Sequence, residues 1–241
     1  MSDQFNDFLL LIAGESATGK SAALQNLKNP EGVLYLNCEN NKKLPFKSKF
    51  RQATVTANTQ IYRTFEDAES MPDVHTIIID SLTFMMDMYE TNEVIPAADG
   101  RSAWGDYAQY FKRLMSTYVA SSTKNIIFTG HTMTIQDAQL NTSTMVKVKG
   151  SLMNNGIESF FSTVVATKKV SLTDLEPYGS PLLNITDMDR MLGFKYCFQT
   201  MLTKDTLHER IRSPMGMWDI KETFIDNDAQ MVMDRLHSFY K

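Results

Sequence analysis

A phosphate-binding loop is the feature that most constrains this chain of 241 residues. The segment from Gly14 to Ser21 reads GESATGKS and matches the pattern G-x-x-x-x-G-K-S/T in full. It follows an apolar run, Phe8 to Ala13, which is typical of a strand buried on both faces. It precedes a segment, Lys20 to Leu27, that we read as a helix. A strand, a loop and a helix in this order predict a site for a nucleoside triphosphate.

The chemistry of such a loop gives each part a role. Its backbone N–H groups turn inward around the phosphates, and a helix N-terminus adds partial positive charge. We expect Lys20 to reach the β- and γ-phosphates, Ser21 to bind Mg²⁺, and Asp80 to hold that ion through its water shell. The alternative is a glycine-rich turn beside an aspartate that caps a helix. The predicted ATP-binding residues are Gly14, Glu15, Ser16, Ala17, Thr18, Gly19, Lys20 and Ser21, and the predicted magnesium-binding residues are Ser21 and Asp80.

Further apolar runs predict an α/β fold with a mostly parallel sheet, because strands alternate with helices up to residue 131. Beyond that point a polar stretch, Thr134 to Thr144, precedes a mixed pattern that ends in an amphipathic helix. We expect one domain over residues 1–241, with 8–131 as its core. The predicted strands are Phe8–Ala13, Val33–Leu36, Gln52–Ala57, His75–Asp80, Asn125–His131, Ser162–Thr167 and Tyr196–Leu202. The predicted helices are Lys20–Leu27, Phe65–Met71, Trp104–Ala120, Ile157–Phe161 and Ala229–Tyr240.

Composition excludes several classes of protein. The formal net charge of −4 argues against a strongly basic protein that coats nucleic acid, so any such contact must be local. Cys38 and Cys197 lack the spacing of a zinc site or a disulfide framework. The first residues, Met1 to Gln4, lack the basic segment of a signal peptide, and the first apolar run is too short to span a bilayer. We therefore expect a cytoplasmic protein without a membrane partner.

The motifs resemble those of RecA-like ATPases, and among them the small phage ATPases of single-strand annealing and recombination. This resemblance covers residues 8–131 well and is weaker beyond, where it depends on Phe198-Gln199-Thr200 and Arg210-Ile211-Arg212. The segments that support it in the first half are Gly14 to Ser21, Asn37-Cys38-Glu39, Ile77-Ile78-Ile79-Asp80-Ser81 and Ile126-Ile127-Phe128-Thr129-Gly130-His131.

The resemblance implies two catalytic roles near the phosphates. Glu39 follows the second strand, where such ATPases place the glutamate that polarises the attacking water, with Glu15 and Glu90 as reserves. His131 ends the strand that such folds place between the loop strand and the Asp80 strand, where a polar side chain senses the γ-phosphate. Many RecA relatives have glutamine at this position. Without the resemblance, Glu39 reads as a solvated loop residue and His131 as a hydrogen-bonded residue at a strand end.

Catalysis in this fold is commonly completed by a basic residue of a neighbouring subunit. Arg210 and Arg212 are the candidates, and either could instead be a surface residue or pair with Glu209. This role implies a homo-oligomer, as a ring or a filament.

Single-stranded DNA is the partner that the resemblance implies. Two loops, Thr134–Lys149 and Lys168–Arg190, correspond to the mobile DNA-binding loops of the RecA core. Lysines on such loops can follow a nucleic-acid backbone, and an aromatic ring, Tyr178 or Phe160, could stack on a base. A solvated polar loop is the alternative, and the second loop also contains four carboxylates, Asp174, Glu176, Asp187 and Asp189. The candidate lysines are Lys147, Lys149, Lys168 and Lys169.

Three functions remain open at this stage. The first is an ATPase of DNA recombination or annealing. The second is a kinase of nucleotides, nucleosides or small molecules, which uses the same loop but does not need Glu39 and His131. The third is a nucleotide-switched binding module with little turnover.

Overall fold

A nine-stranded sheet organises the protein in the computed structural model, which describes residues 6–241. Helices flank the sheet, so the predicted α/β fold with a mostly parallel sheet is confirmed. The strands are β1 (Leu9–Gly14), β2 (Val33–Asn37), β3 (Arg51–Thr54), β4 (Thr76–Asp80), β5 (Asn125–Gln136), β6 (Thr142–Val146), β7 (Thr163–Ser171), β8 (Phe194–Gln199) and β9 (Phe224–Asp226).

Seven α-helices and several tighter or wider helical turns connect these strands within residues 6–241. The α-helices are α1 (Asn58–Glu69), α2 (Leu82–Tyr89), α3 (Gly100–Arg113), α4 (Gly150–Asn155), α5 (Leu172–Leu175), α6 (Asp187–Leu192) and α7 (Ala229–Tyr240). The 3₁₀ turns are Ala22–Leu24, Pro30–Gly32, Ile157–Phe160 and Ile220–Thr223, and the π-helical segments are Glu90–Val94 and Leu114–Val119.

The order of the strands decides which residues meet. The sheet runs β3-β2-β4-β5-β1-β7-β8-β9, with β6 forming a hairpin on the extension of β5. The strands from β3 to β7 in this order are parallel to one another, and β8 pairs antiparallel with both of its neighbours, β7 and β9. Gly14 is in register with His131, and Asn37 with Asp80. The ends of β1, β2 and β4 therefore lie along one edge of the sheet, and His131 of β5 lies level with them.

Both faces of the sheet are covered, which explains the continuous apolar runs of its central strands. Successive side chains of a strand point to opposite faces, so Leu9 and Leu11 of β1 belong to one hydrophobic core and Leu10 and Ile12 to the other. The first core includes α1, α2 and α3, and the second includes α7. The amphipathic C-terminal helix was predicted at Ala229–Tyr240, and α7 confirms it.

The segment after the phosphate loop differs from its prediction. A helix was expected from Lys20 to Leu27, but the chain forms only the 3₁₀ turn Ala22–Leu24. Asn29 adopts left-handed backbone angles and Pro30 follows it, so the helix cannot continue and only a short segment is available. Helix α7 packs against this turn, and Asn26 Nδ2 donates to Asp228 Oδ2 at 2.8 Å. The phosphates would therefore be held mainly by loop amides rather than by a helix N-terminus.

Other differences concern the ends of elements. The predicted third strand, Gln52–Ala57, ends at Thr54, and the helix predicted at Phe65–Met71 begins earlier, at Asn58. The helix predicted at Trp104–Ala120 is α3 followed by a π-helical segment, and Ile157–Phe161 is mostly a 3₁₀ turn. The strand predicted at Asn125–His131 continues to Gln136, so His131 lies within β5 instead of ending it, and the polar stretch after it forms the β5–β6 hairpin. The prediction made from Met1 to Gln4 lies outside the described residues.

Removal of one aromatic side chain tests the central sheet. Phe128 of β5 is fully buried and contacts Phe161 with ring centroids 5.3 Å apart. We expect Phe128→Ala to lower the free energy of unfolding by about 3–5 kcal/mol, because the cavity left behind cannot fully collapse. Denaturant unfolding measures the change. Leu140→Ala, at a side chain that is 74% exposed, is the control and should have little effect; a similar loss in both variants would contradict the assignment.

Candidate nucleotide-binding site

The phosphate loop has the backbone that its glycines require. Gly19 has a φ of +102°, which side chains rarely adopt, and Ala17 is also left-handed, with a φ of 60°. A Cβ atom on Gly14 would lie 2.1 Å from Thr167 Oγ1 on β7, so no side chain fits there. Thr18 Oγ1 is 2.5 Å from the same Thr167 oxygen. Thr167 of β7 thus contacts the loop both at its beginning, Gly14, and in its middle, Thr18.

Lys20 is a buried cation inside this loop. Its ammonium donates to Gly14 O at 3.0 Å and to Glu15 O at 2.7 Å, and the residue is 6% exposed. Burial lowers the pKa of Lys20 from 10.5 to about 8, although the carboxylates of Glu39 and Asp80 act in the opposite direction. A buried cation bonded only to carbonyl oxygens matches an anionic ligand, so the loop fits the phosphates of a nucleotide.

Asp80 is held by three hydroxyl groups from different parts of the chain. Ser21 Oγ donates to Asp80 Oδ2 at 2.8 Å and Tyr35 OH donates to the same oxygen at 2.7 Å. Thr129 donates to the other oxygen, Oδ1. Burial raises the pKa of Tyr35 far above its usual range, so its hydroxyl remains a donor. These bonds fix the carboxylate beside the loop.

This donor set fits magnesium bound together with a nucleotide. Among residues 6–241, no group of three or more His, Cys, Asp or Glu side chains could hold a metal ion by itself. Mg²⁺ usually takes one or two carboxylates, substrate phosphates and several waters. Ser21 and Asp80, 2.8 Å apart, offer one hydroxyl and one carboxylate at the phosphate loop. They are the residues that would hold the ion.

Glu39 and His131 are in direct contact. His131 Nε2 lies 2.9 Å from Glu39 Oε1, and since a carboxylate at neutral pH only accepts, Nε2 is the protonated ring nitrogen. The hydrogen bond from His131 and a second from Lys42 lower the pKa of Glu39 to about 2. The strand order explains the contact, because β2, which Glu39 follows, and β5, which contains His131, both adjoin β4. Of the reserve candidates, Glu15 is exposed and Glu90 pairs with Lys149.

A tight turn after β2 adds a residue that the sequence analysis missed. Lys42 N donates to Glu39 O at 3.0 Å, and the two residues between them, Asn40 and Asn41, both have positive φ, as in a type I′ turn. The turn brings Lys42 Nζ to 3.0 Å from Glu39 Oε2. Two consecutive asparagines are a recognisable signal for left-handed turn positions, so this contact could have been anticipated.

One cavity of about 400 Å³ extends from Glu39, Lys42 and His131 to the other side of β1, the strand that precedes the phosphate loop. At its far end Tyr196 of β8 lies against the loop beside Gly19, and Asn227 Nδ2 donates to Gly19 O at 2.9 Å. Neither residue was predicted, because long-range pairing through β8 and β9 positions both. The residues that line the cavity are Ser16, Ala17, Gly19, Lys20, Ser21, Ala22, Tyr35, Glu39, Lys42, Lys43, Pro45, Asp80, His131, Tyr196 and Asn227.

The two candidate arginines lie outside this cavity. Arg210 forms an ion pair with Glu158, at 2.9 Å between Nη1 and Oε2, rather than with Glu209. Arg212 is exposed, and its backbone pairs with that of Val164. Their action on a neighbouring subunit remains a prediction.

The candidate DNA-contacting side chains differ in their surroundings. Lys149 pairs with Glu90 and Lys168 with Glu209, each at 2.5 Å. Two further lysines have other surroundings: Lys169 lies over the Tyr196 ring at 5.6 Å, and Lys147 is exposed directly after the end of β6. The two aromatic candidates pack internally, Tyr178 against Phe224 and Phe160 against Phe111.

Fold and site together define a P-loop NTPase domain. Residues 7–194 match the family described as AAA domain, and the chain belongs to this family. No curated protein matches the chain. Among solved structures, the chain is similar to the flagellar accessory protein FlaH from Methanocaldococcus jannaschii, with 19% identity and a TM-score of 0.37 over 70% of this chain and 74% of that one. Within residues 6–241, no helix has the length and apolar character needed to cross a membrane.

The pKa of Lys20 predicts how nucleotide affinity depends on pH. Only the protonated ammonium attracts phosphates, and bound phosphates favour that form, so binding takes up a proton above pH 8. We expect the affinity for MgATP to be nearly constant below pH 8 and to fall by about tenfold per pH unit above it. Equilibrium titration from pH 7 to 9.5 measures this.

Calorimetry in two buffers with different ionisation enthalpies provides a second measurement. At pH 8 we expect an uptake of about half a proton per nucleotide bound, since Lys20 is then half protonated. Adenosine, which has no phosphates, is the control. A constant affinity up to pH 9.5 without proton uptake would contradict the assignment of Lys20.

Proposed function

We propose that the protein hydrolyses ATP in a reaction that depends on Mg²⁺. The observation that supports this most directly is the contact between Glu39 and His131 in the same cavity as Lys20, Ser21 and Asp80. A phosphate loop alone suits many enzymes, whereas a carboxylate and a histidine opposite it suit the activation of water.

Each of these side chains of the cavity has a role in ATP hydrolysis that follows from its position. Lys20 exchanges its carbonyl partners for phosphate oxygens, and Ser21 and Asp80 are the residues that would hold the metal ion. Mg²⁺ neutralises charge on the β- and γ-phosphates when bound. Glu39 accepts a hydrogen bond from the attacking water and orients it, and its low pKa keeps it ionised for that task. His131 fixes the carboxylate and lies where the γ-phosphate ends.

The shape of the cavity supports one orientation of the nucleotide. Glu39 follows β2 and His131 lies on β5, both on one side of β1, while Tyr196 belongs to β8 on the other side. A triphosphate that follows the loop therefore places its γ-phosphate near Glu39 and its nucleoside near Tyr196. The Tyr196 ring is 40% exposed and offers a face for a base, and Asn227 Oδ1 is a buried acceptor without a hydrogen-bond partner among residues 6–241.

The composition of the cavity favours hydrolysis over kinase chemistry. Kinase lids usually cluster several arginines around the transferred phosphoryl group, and the residues that line this cavity include lysines but no arginine in the described part of the chain. A kinase also has no need for a water-orienting glutamate. The third function, a nucleotide-switched module with little turnover, differs from an ATPase only in rate.

Substitution of the glutamate tests the catalytic assignment. We expect Glu39→Gln to retain ATP binding and to lower the hydrolysis rate at least about tenfold, because an amide is a poor acceptor for a water proton. Steady-state phosphate release and nucleotide titration measure the two effects. Glu90→Gln is the matched control, since Glu90 lies outside the cavity and pairs with Lys149. Unchanged turnover in Glu39→Gln would remove Glu39 from the mechanism, and normal ATP binding by Lys20→Ala would remove the whole site.

We further propose that the ATPase acts on single-stranded DNA in recombination or annealing, as a ring or filament of identical subunits. The support is the resemblance to phage recombination ATPases together with the positive charges of Lys147 and Lys169. Backbone hydrogen bonding connects Lys147 to the nucleotide cavity, since Lys147 N donates to the carbonyl oxygen of His131 at 2.7 Å.

The DNA proposal predicts a salt-dependent stimulation. We expect single-stranded DNA to raise the ATPase rate at low salt and the increase to fade as salt rises, because phosphate contacts release counterions. Lys147→Ala should reduce the stimulation, while Lys28→Ala should not, because Lys28 lines a different cavity and pairs with Asp234. No stimulation at any salt, together with phosphate transfer to a nucleoside, would favour the kinase.

A further inference from the structure

Lys42 is a second cation in the nucleotide cavity that no role yet explains. It lines the cavity together with Lys20 and Glu39, and its ammonium lies 3.0 Å from Glu39 Oε2. Phosphoryl transfer needs positive charge beside the γ-phosphate in addition to the loop lysine. The arginines that could supply this charge, Arg210 and Arg212, lie outside the cavity.

We propose that Lys42 is a catalytic residue that contacts the γ-phosphoryl group of ATP within its own subunit. On nucleotide binding its ammonium moves from Glu39 Oε2 to a γ-phosphate oxygen, and this exchange frees Oε2 to accept a hydrogen bond from the attacking water. The inference rests on the proposed ATP hydrolysis and adds to it the source of the second positive charge.

Each oxygen of the Glu39 carboxylate has one donor in the structure. Oε1 accepts from His131 and Oε2 from Lys42. A carboxylate oxygen can accept two hydrogen bonds, so the attacking water can share an oxygen with a donor, and departure of a donor opens that oxygen further to the water. His131 is a poor candidate to leave, since it is fixed on β5 and its backbone N–H donates to Thr83 Oγ1 at 3.0 Å. Lys42 is the group that can move.

The side chain of Lys42 is suited to such a movement. It is 65% exposed, whereas that of Glu39 is 7% exposed, so Lys42 reaches Glu39 from the solvent side. A γ-phosphate carries more negative charge than one carboxylate and also forms charge-assisted bonds, so it competes well for the ammonium.

Hydrogen bonds fix the backbone of Lys42, although its side chain is exposed. Asn37 Nδ2 donates to Lys42 O at 2.8 Å, and Thr54 Oγ1 of β3 donates to Asn41 Oδ1 at 3.1 Å. The turn from Glu39 to Lys42 is therefore attached to two strands. Only the flexible stem of the lysine has to rearrange between the two partners.

The reaction step balances without any further reagent. The oxygen of water forms a bond to the γ-phosphorus while the bond from that phosphorus to the β–γ bridging oxygen breaks. The electron pair of the broken bond stays with ADP, and the proton that the water loses ends on the released phosphate. Lys42 neutralises charge on the γ-phosphoryl oxygens during this step, and Glu39 orients the water.

Substitution of Lys42 tests the role. We expect Lys42→Met to lower kcat by about 10²-fold, as for loss of one charge-stabilising donor. We also expect it to weaken ATP binding by about tenfold while ADP binding is unchanged, because ADP lacks the γ-phosphate. Lys42→Arg should recover part of the rate. Lys49→Met is the matched control, since Lys49 is an exposed lysine that pairs with Glu31 and lies outside the cavity.

Three results would overturn the proposal, and each differs from failure of the proposed function. A rise in kcat for Lys42→Met would mean that Lys42 only holds Glu39 back from water, and an unchanged kcat would remove it from catalysis. An unchanged preference for ATP over ADP would exclude the phosphate contact even if turnover were too slow to measure. Wild-type protein that binds ATP but never releases phosphate would contradict the ATPase itself.

A mixing experiment decides whether the cation acts within one subunit. Lys20→Ala retains Lys42 but should not bind ATP, and Lys42→Met should bind ATP without its own second cation. If Lys42 acts within its own subunit, an equimolar mixture of the two variants should have no more activity than their sum. Restored hydrolysis in the mixture would show that a neighbouring subunit supplies the charge, and would overturn the assignment.

Discussion

The buried carboxylate of Asp80 is the constraint on which the arrangement of this site depends. A carboxylate that is almost fully buried must find hydrogen-bond donors, and Asp80 finds them on β2, on β5 and at the end of the phosphate loop. These three bonds fix the ends of neighbouring strands relative to one another. The register of β2 and β4 places Asn37 beside Asp80. Glu39, two residues further along the chain, therefore reaches the same edge of the sheet as His131. The residues proposed for metal binding and for water activation thus depend on one set of contacts.

Charge in the cavity is balanced through partners that a nucleotide can replace. Lys20 is bonded to carbonyl oxygens of its own loop, Ser21 to Asp80, and Lys42 to Glu39. Each of these groups has a stronger partner in a magnesium-bound triphosphate. Binding therefore requires only exchanges of hydrogen bonds and little movement of the backbone, which the loop glycines and the neighbouring strands hold in place. Tyr35 and Thr129 also donate to Asp80, so the carboxylate has two partners besides Ser21.

Strands were predicted more accurately than the segments between them. Runs such as His75 to Asp80 are apolar and β-branched, and a strand buried on both faces needs little else to be recognised. The helix expected from Lys20 to Leu27 was wrong, because apolar spacing does not reveal how little chain remains before Asn29 and Pro30. The P-loop NTPase class and the α/β fold followed from local patterns. The pairing of Arg210 with Glu158 could not be predicted from local patterns, because the two residues are far apart in the sequence.

By itself the sequence determined the phosphate loop, the central strands and the polar residues that end them. These features depend on local backbone geometry and on the alternation of side chains, which a short window of residues contains. Only the tertiary structure decided that Glu39 touches His131 across 92 positions of chain, and that Tyr196 and Asn227 complete the cavity. The physical reason is the order of the strands. Contacts between strand ends depend on which strands are neighbours in the sheet, and that order results from the packing of the whole chain.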